Sequence, residues 1–337
     1  MSKPKEEPNT HLNSNNTQAA TNLIFYRLAA AFIFIIFLKG SFNMNFINAA
    51  IKKERTHVEE IIRSQPVMSH EGITATEIAI CGKRNLFMDV YCPDNGAEKH
   101  PIIIDIHGGG LIAGRKEQNR NLATWFAKEG YLTFIPDYRL VPETNVFGQV
   151  TDVINAFATV AEHAEDFGGD LNQVFVVADS AGAFLACMAS SILRYPAKMQ
   201  PVEDELEENV PEAAKQLIIN AMGLQSGMYY IYKGQVGLFQ NYYMAKGWKN
   251  HSYAEFIKPE TYSKLIPPCY ICTGRKDFLK KQTFGFKKCL ENERVHHGYG
   301  FVSKKETVHA FAALYPESES TVGVNREMIR FFDSFKK

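Results

Sequence analysis

No charge of one sign is in surplus in this chain: its 337 residues carry 37 Lys and Arg against 37 Asp and Glu. That balance leaves no broad basic surface and no nucleic-acid-binding motif is present, so a nucleic-acid partner is excluded. Cysteine is sparse. The six thiols, Cys81, Cys92, Cys187, Cys269, Cys272 and Cys289, are scattered through mostly apolar runs and do not make the framework of a disulfide-stapled domain. Cys269 and Cys272 form a C-x-x-C, but within an expected strand. Residues three apart on a strand point to opposite faces, so these two read as buried structural thiols. No internal repeat is evident, and no Gly-rich loop ends in Lys-Ser/Thr, which removes a P-loop.

Long apolar runs are missing too. Leu28 to Leu38 is apolar throughout, a stretch of about 11 residues where spanning a bilayer takes roughly 20. It belongs to segment 23–38, which follows a polar leader, residues 1–22, whose Pro, Asn, Thr and Ser content predicts disorder. The leader, and Lys39 where a small-x-small cleavage site would stand, argue against a signal peptide. Length leaves two readings of 23–38 open, a membrane-associated helix and a helix docked on the protein body. If the segment spans, Lys39, Lys52, Lys53 and Arg55 keep the downstream chain cytoplasmic. The expected location is therefore cytoplasmic, with membrane association through 23–38 left open. Composition fixes no oligomeric state.

What the chain does have is apolar residues, 45% of the total, enough for a sizeable core. Beyond a charged helical stretch from Lys52 to Ser64, Ile73 to Cys81 and Leu86 to Cys92 read as two antiparallel strands. Pro101 to His107 is a buried strand running into Gly108, Gly109 and Gly110, and a helical pattern from Glu117 stops at Gly130. Tyr131 to Pro136 is another strand, Val150 to Ala164 a helix with one buried stripe, and Val174 to Val177 a β-branched run buried on both faces. Leu217 to Met222, Tyr270 to Thr273 and about Gly298 to Val302 complete the strands, with helices at Gln282 to Glu291 and Arg326 to Phe335. Strands alternating with helices at this spacing predict an α/β fold, a mostly parallel central sheet with helices on both faces. Two stretches break the rhythm. The acidic run Glu203, Asp204, Glu205, Glu207 and Glu208 reads as a solvated loop or short helix. Residues 227–262 are dense in aromatics and suggest an inserted cap, whose rings either wall a pocket or pack the insertion onto the core.

The chemistry centres on Gln173 to Ala183. A buried strand followed by Ala178-Asp179-Ser180-Ala181-Gly182 and an Ala-rich helix holds a serine outward on a sharp turn, beside the positive end of the helix. Alone, such a pentad is a weak signal, since serines often cap helices. Asp277 follows a later strand and His309 follows the last one. In the order Ser, Asp, His, His309 would take the proton of Ser180, and Asp277 would orient the imidazole and stabilise its cation. The glycines after His107 free backbone N–H groups, so Gly108 and Gly109, with Ala181 opposite, are the expected donors to an oxyanion.

These spaced motifs resemble the hormone-sensitive-lipase-like branch of the α/β-hydrolase fold, esterases and lipases with a His-Gly-Gly-Gly loop. The resemblance runs from about Pro101 to the C-terminus. It includes Asp137-Tyr138-Arg139-Leu140 with Pro142-Glu143, the Ala178 to Gly182 pentad, Pro267-Pro268 leading to Thr273-Gly274 and Asp277, and Val308-His309-Ala310-Phe311. It implies a catalytic domain over 66–337, with a helical cap made by the insertion at about 227–262 and by the N-terminal helices in 23–65. It also implies hydrolysis of carboxylic esters through an acyl-enzyme, with no metal and no cofactor, and the aromatic insertion suggests a walled pocket for small or short-acyl esters. An amidase or peptidase with the same triad, and a non-catalytic ligand-binding protein on the same fold, are the alternatives. The chain departs from the pattern with Ala178 and Ala183 in place of Gly, Leu111 after the triplet, and Lys280 and Lys281 where an acidic residue is usual. One added methyl at Ala178 is compatible with the turn, so these changes bear on substrate preference.

Overall fold

The computed structural model describes residues 44–83, 85–233 and 240–336, so the leader and segment 23–38 lie outside the described residues. The strands are β1 (Ile73–Ala79), β2 (Phe87–Pro93), β3 (His100–Ile106), β4 (Leu132–Pro136), β5 (Gly169–Asp179), β6 (Ile219–Gln225), β7 (Cys269–Gly274) and β8 (His297–Val302). They form one sheet in the order β1-β2-β4-β3-β5-β6-β7-β8. β2 runs antiparallel to both neighbours, β1 and β4; from β4 through β8 every pairing is parallel. The principal helices are α1 (Met44–Ser64), α2 (Arg120–Lys128), α3 (Val146–His163), α4 (Ser180–Arg194), α5 (Pro196–Glu203), α6 (Lys280–Asn292) and α7 (Val322–Asp333).

The period of two along a strand explains the layering. In β5, Val174 and Val176 enter one apolar cluster with Val150, Phe157 and Phe184 of α3 and α4, while Phe175 and Val177 enter another with Phe126 of α2 and Phe332 of α7. Phe175 and Phe332 stack with ring centroids 4.6 Å apart. The C-x-x-C splits between the layers as its strand spacing requires: Cys269 packs in the first cluster, Cys272 in the second, and both are free thiols. Among the described residues no helix is long and apolar enough to cross a membrane.

The acidic run forms turns between short helices, within the expected loop or short helix, but its Glu207 and Glu208 carboxylates are engaged by the body of the protein. The stretch 196–216 holds α5 and a short helix at Glu212–Gln216. Glu207 accepts hydrogen bonds from Thr144 Oγ1 at 2.6 Å and Arg139 Nη2 at 2.7 Å, and Glu208 accepts from Lys83 Nζ at 2.7 Å. Arg139 also forks onto buried Asp152, so Glu207 joins an ion-pair network, and a sequence pattern cannot display a partner more than 60 residues away. The described aromatics of 227–262 mostly pack inward. Tyr229 stacks on Phe286 at 4.0 Å, Tyr253 meets Phe147 at 4.6 Å, and Tyr262 donates its hydroxyl to the Tyr229 carbonyl at 3.2 Å.

Candidate active site

Parallel strands carry their carboxyl ends to one edge of the sheet, and loops at that edge collect chemistry from distant positions in the chain. β3 delivers His107 to Gly110, β5 delivers Ser180, β7 delivers Asp277 and β8 delivers His309. Ser180 sits at φ 48, a left-handed conformation that few non-glycine residues adopt, where β5 turns straight into α4. The turn is held from both sides: Met228 N–H donates to the Ser180 carbonyl at 2.8 Å, and Gly182 lies so near β3 that a Cβ there would stand 2.1 Å from the Ile106 carbonyl oxygen. Ala178 is fully buried and the elbow forms with it in place.

The three residues expected to act together do meet. Ser180 Oγ lies 2.7 Å from His309 Nε2, and His309 Nδ1 lies 2.8 Å from Asp277 Oδ1. With Nδ1–H donating to the carboxylate, Nε2 is the acceptor for the serine hydroxyl. Asp277 is further fixed by Thr273 Oγ1 on Oδ2 and by Leu279 N–H on Oδ1, each at 2.8 Å. Burial pushes the Asp277 carboxyl up, but the charge and hydrogen bond of His309 and the Thr273 hydroxyl outweigh it and hold the group below the usual carboxylate range. The pair is therefore set with the negative charge on Asp277.

The Gly-rich loop is anchored through its carbonyls. Tyr138 Oη donates to the His107 carbonyl at 2.9 Å, and the Leu111 carbonyl accepts from Gln149 Nε2 at 2.8 Å and Val141 N–H at 2.9 Å. Arg55 of α1 reaches the Ile112 carbonyl at 2.8 Å while its guanidinium forks onto Glu143. One expectation is corrected here. Gly108 N–H donates to Asp179 Oδ1 at 2.9 Å, so it is already committed and does not face an oxyanion. The cause is crowding: Gly108 sits over the elbow, and a Cβ on it would lie 2.3 Å from Asp179 Oδ2. Gly109 and Gly110 donate their N–H groups to no protein acceptor among the described residues. Ala181 N–H lies in the first turn of α4, where intrahelical acceptors are lacking.

Sequence reasoning missed the buried polar knot beneath this loop. Asn119 Nδ2 lies 3.1 Å from Asp105 Oδ1 and 3.0 Å from Asp179 Oδ1, joining two fully buried carboxyls. The available signal was Asp105 itself, a lone acid inside Ile-Ile-Ile-Asp-Ile-His. Burial pushes Asp105 well above the usual range, the neighbouring Asp179 charge adds to this, and Asn119 offsets only part of it. A carboxyl whose folded-state pKa is raised stabilises the fold when protonated and loses that contribution as pH rises through the folded value. Asp105→Asn should therefore gain stability relative to the wild type as pH is raised from about 4 to about 8, read as urea midpoints. Parallel curves for the two proteins would refute this account.

α1 crosses both the Gly-rich loop and the loop bearing His309. Arg55 holds the Gly-rich side, and two turns on, Ile61 packs with Ala310 and Leu314 just beyond His309. Phe278, adjacent to Asp277, lays its ring 4.2 Å from that of His309 and is 49% exposed, which gives the triad an apolar rim.

Comparison with known proteins agrees with this fold. The BD-FAE family model matches residues 88–284, a stretch containing the Gly-rich loop, Ser180 and Asp277. Isoprenylcysteine alpha-carbonyl methylesterase ICME of Arabidopsis thaliana is 27% identical over 206 residues, 57% of this chain and 46% of the relative. Esterase LipI of Mycobacterium tuberculosis is 28% identical over 154 residues, 44% of this chain and 47% of the relative. The matched stretch thus spans about half the length of these curated relatives. Among solved structures, esterase B from Lactobacillus rhamnosis superposes with a TM-score of 0.74 at 20% identity, covering 87% of this chain and 94% of its own. A bacterial heroin esterase superposes with a TM-score of 0.66, also at 20% identity, covering 86% and 92%. The architecture is the α/β-hydrolase fold.

Proposed function

This chain belongs to the BD-FAE family, and from that premise we propose that it hydrolyses carboxylic esters through Ser180, His309 and Asp277. The observation that carries the reading is the unbroken relay from Ser180 Oγ through His309 to Asp277, at 2.7 and 2.8 Å. Ser180 Oγ attacks the ester carbonyl carbon as His309 Nε2 takes its proton, and Asp277 stabilises the imidazolium. Negative charge collects on the former carbonyl oxygen. Gly109 N–H and Ala181 N–H, with Gly110 N–H beside them, are the donors proposed to receive it; Gly108 is replaced in this role because Asp179 holds its N–H. His309 returns the proton to the departing alkoxide, the ester C–O bond breaks, and an acyl group remains on Ser180. Water deprotonated by His309 then releases the acid and restores the serine.

The printed names of several relatives, a methylesterase and esterases among them, support the ester reading. The apolar Phe278 ring beside His309 supports an ester with an apolar group at that edge of the site. No step in this scheme requires a metal or a cofactor. The test is hydrolysis of p-nitrophenyl esters from acetate to long acyl chains, with fluorophosphonate labelling followed by mass spectrometry. The expected result is turnover that falls as the acyl chain lengthens, and one label, on Ser180. Folded protein that neither turns over any ester nor takes the label would reject the reading in favour of a ligand-binding protein.

A further inference from the structure

A second chemical cluster lies away from the triad, where the β1–β2 hairpin turn meets the end of α3. Cys81 N–H donates to Thr159 Oγ1 at 2.9 Å, which pins the turn onto the helix. Cys81 Sγ then stands 3.0 Å from Glu162 Oε2 and 3.9 Å from His163 Nε2, and the three ligand atoms lie within 4.8 Å of one another. Tetrahedral zinc, with bonds of about 2.0–2.3 Å, places neighbouring ligand atoms about 3.5 Å apart. The observed separations bracket that value.

Three further features favour a cation at this point. His163 Nδ1 lies 3.2 Å from Asp166 Oδ2, so with Nδ1–H donating, the Nε2 lone pair is turned toward Cys81; a carboxylate behind a histidine is the usual support of a metal-bound imidazole. His163 closes α3, and the carbonyl end of a helix carries partial negative charge. Beside the cluster opens a groove of about 710 Å³ lined by Ile78, Cys81, Lys83, His163, Asp166 and Phe167, with room for a water as fourth ligand. Lys83, the one Lys or Arg in that lining among the described residues, is engaged elsewhere, with Nζ 2.7 Å from Glu208 and 3.4 Å from Asp152.

We propose that Cys81, Glu162 and His163 form a site for a zinc-class divalent ion, with Asp166 orienting His163, that fastens the β1–β2 hairpin to the end of α3. The thiol and imidazole select a borderline metal over magnesium or calcium, which take oxygen ligands. On binding, the Cys81 proton passes to solvent and the thiolate, the imidazole lone pair and the carboxylate each donate to the ion, with no change of oxidation state. The ion is structural and stands outside the proposed ester chemistry, so the assignment does not depend on that reading.

Cobalt titration of the full-length protein provides the test, because a thiolate bound to cobalt gives a charge-transfer band in the near ultraviolet. One equivalent should generate the band, zinc should abolish it, and zinc should raise the wild-type Tm. Cys81→Ser and His163→Ala should lose both the band and the Tm shift, and Asp166→Asn should weaken cobalt binding about 10-fold or more. Should Cys81→Ser fail to fold, Glu162→Ala at the exposed ligand must weaken the band in its place. Absence of a band in the wild type, or a band unchanged in Cys81→Ser or Glu162→Ala, would overturn the assignment. The thiol would then be only a hydrogen-bond donor to Glu162.

Discussion

Ser180→Ala is expected to lower kcat for a short-chain p-nitrophenyl ester by about 10⁴- to 10⁶-fold, with KM altered far less. The size of the effect follows from how the residue is held. Its φ of 48 and its 2.7 Å contact with His309 suit the proposed attack by Oγ, and alanine keeps the backbone while deleting only that atom. His309→Ala should cost about as much, and the double variant should be no slower than either single one, because nucleophile and base act as one unit. Asp277→Asn should be milder, about 10⁴-fold, since an amide still fills the space but cannot hold the imidazole tautomer or its cation. Steady-state kinetics with circular dichroism as a folding control decide the matter. Residual activity within 10-fold of wild type in well-folded Ser180→Ala would remove the serine from the chemistry.

What could be read from the amino-acid order and what could not divide along a physical line. Strands such as Pro101 to His107 and Val174 to Val177 announce themselves because burial on both faces demands an unbroken apolar run. That Ser180, Asp277 and His309 meet was legible for a related reason, since each follows a strand and parallel topology collects strand ends at one edge. Pairings across long separations were not legible. Nothing local to Gly108 says that Asp179, 71 residues on, will take its N–H, and nothing in the acidic run near Glu207 says that Arg139 waits for it. The aromatic insertion shows a different limit. Tyr229, Tyr253 and Tyr262 would look the same in sequence as pocket walls or as packing, and only their contacts with Phe286, Phe147 and the Tyr229 carbonyl show them packing.

Gly109→Ala is the second large effect to expect, a fall in kcat of about 10²- to 10³-fold, the cost of losing one oxyanion donor. Gly109 has φ +123, and a Cβ built on it would stand 1.9 Å from the Ala113 carbonyl oxygen. That contact is with backbone, and the same loop is fixed at Gly109 O by Ala113 N–H, at the Leu111 carbonyl by Gln149 and at the Ile112 carbonyl by Arg55. The clash cannot be relieved by rotating a side chain, so the peptide must turn and carry its N–H away from the position proposed for the oxyanion. Gly110→Ala is the matched control. Gly110 also has a positive φ, +64, but its nearest neighbour to a new Cβ is 4.0 Å away, so alanine there pays about 1–2 kcal/mol of backbone strain without displacing the loop. Its kcat should remain within about 10-fold of wild type while its Tm falls. If both variants keep near-wild-type kcat, Gly109 N–H is not an oxyanion donor. If both lose activity equally, loop strain rather than the donor at Gly109 governs the rate. A large gap between two neighbouring glycines differing chiefly in what a methyl would strike is an outcome that general destabilisation does not produce.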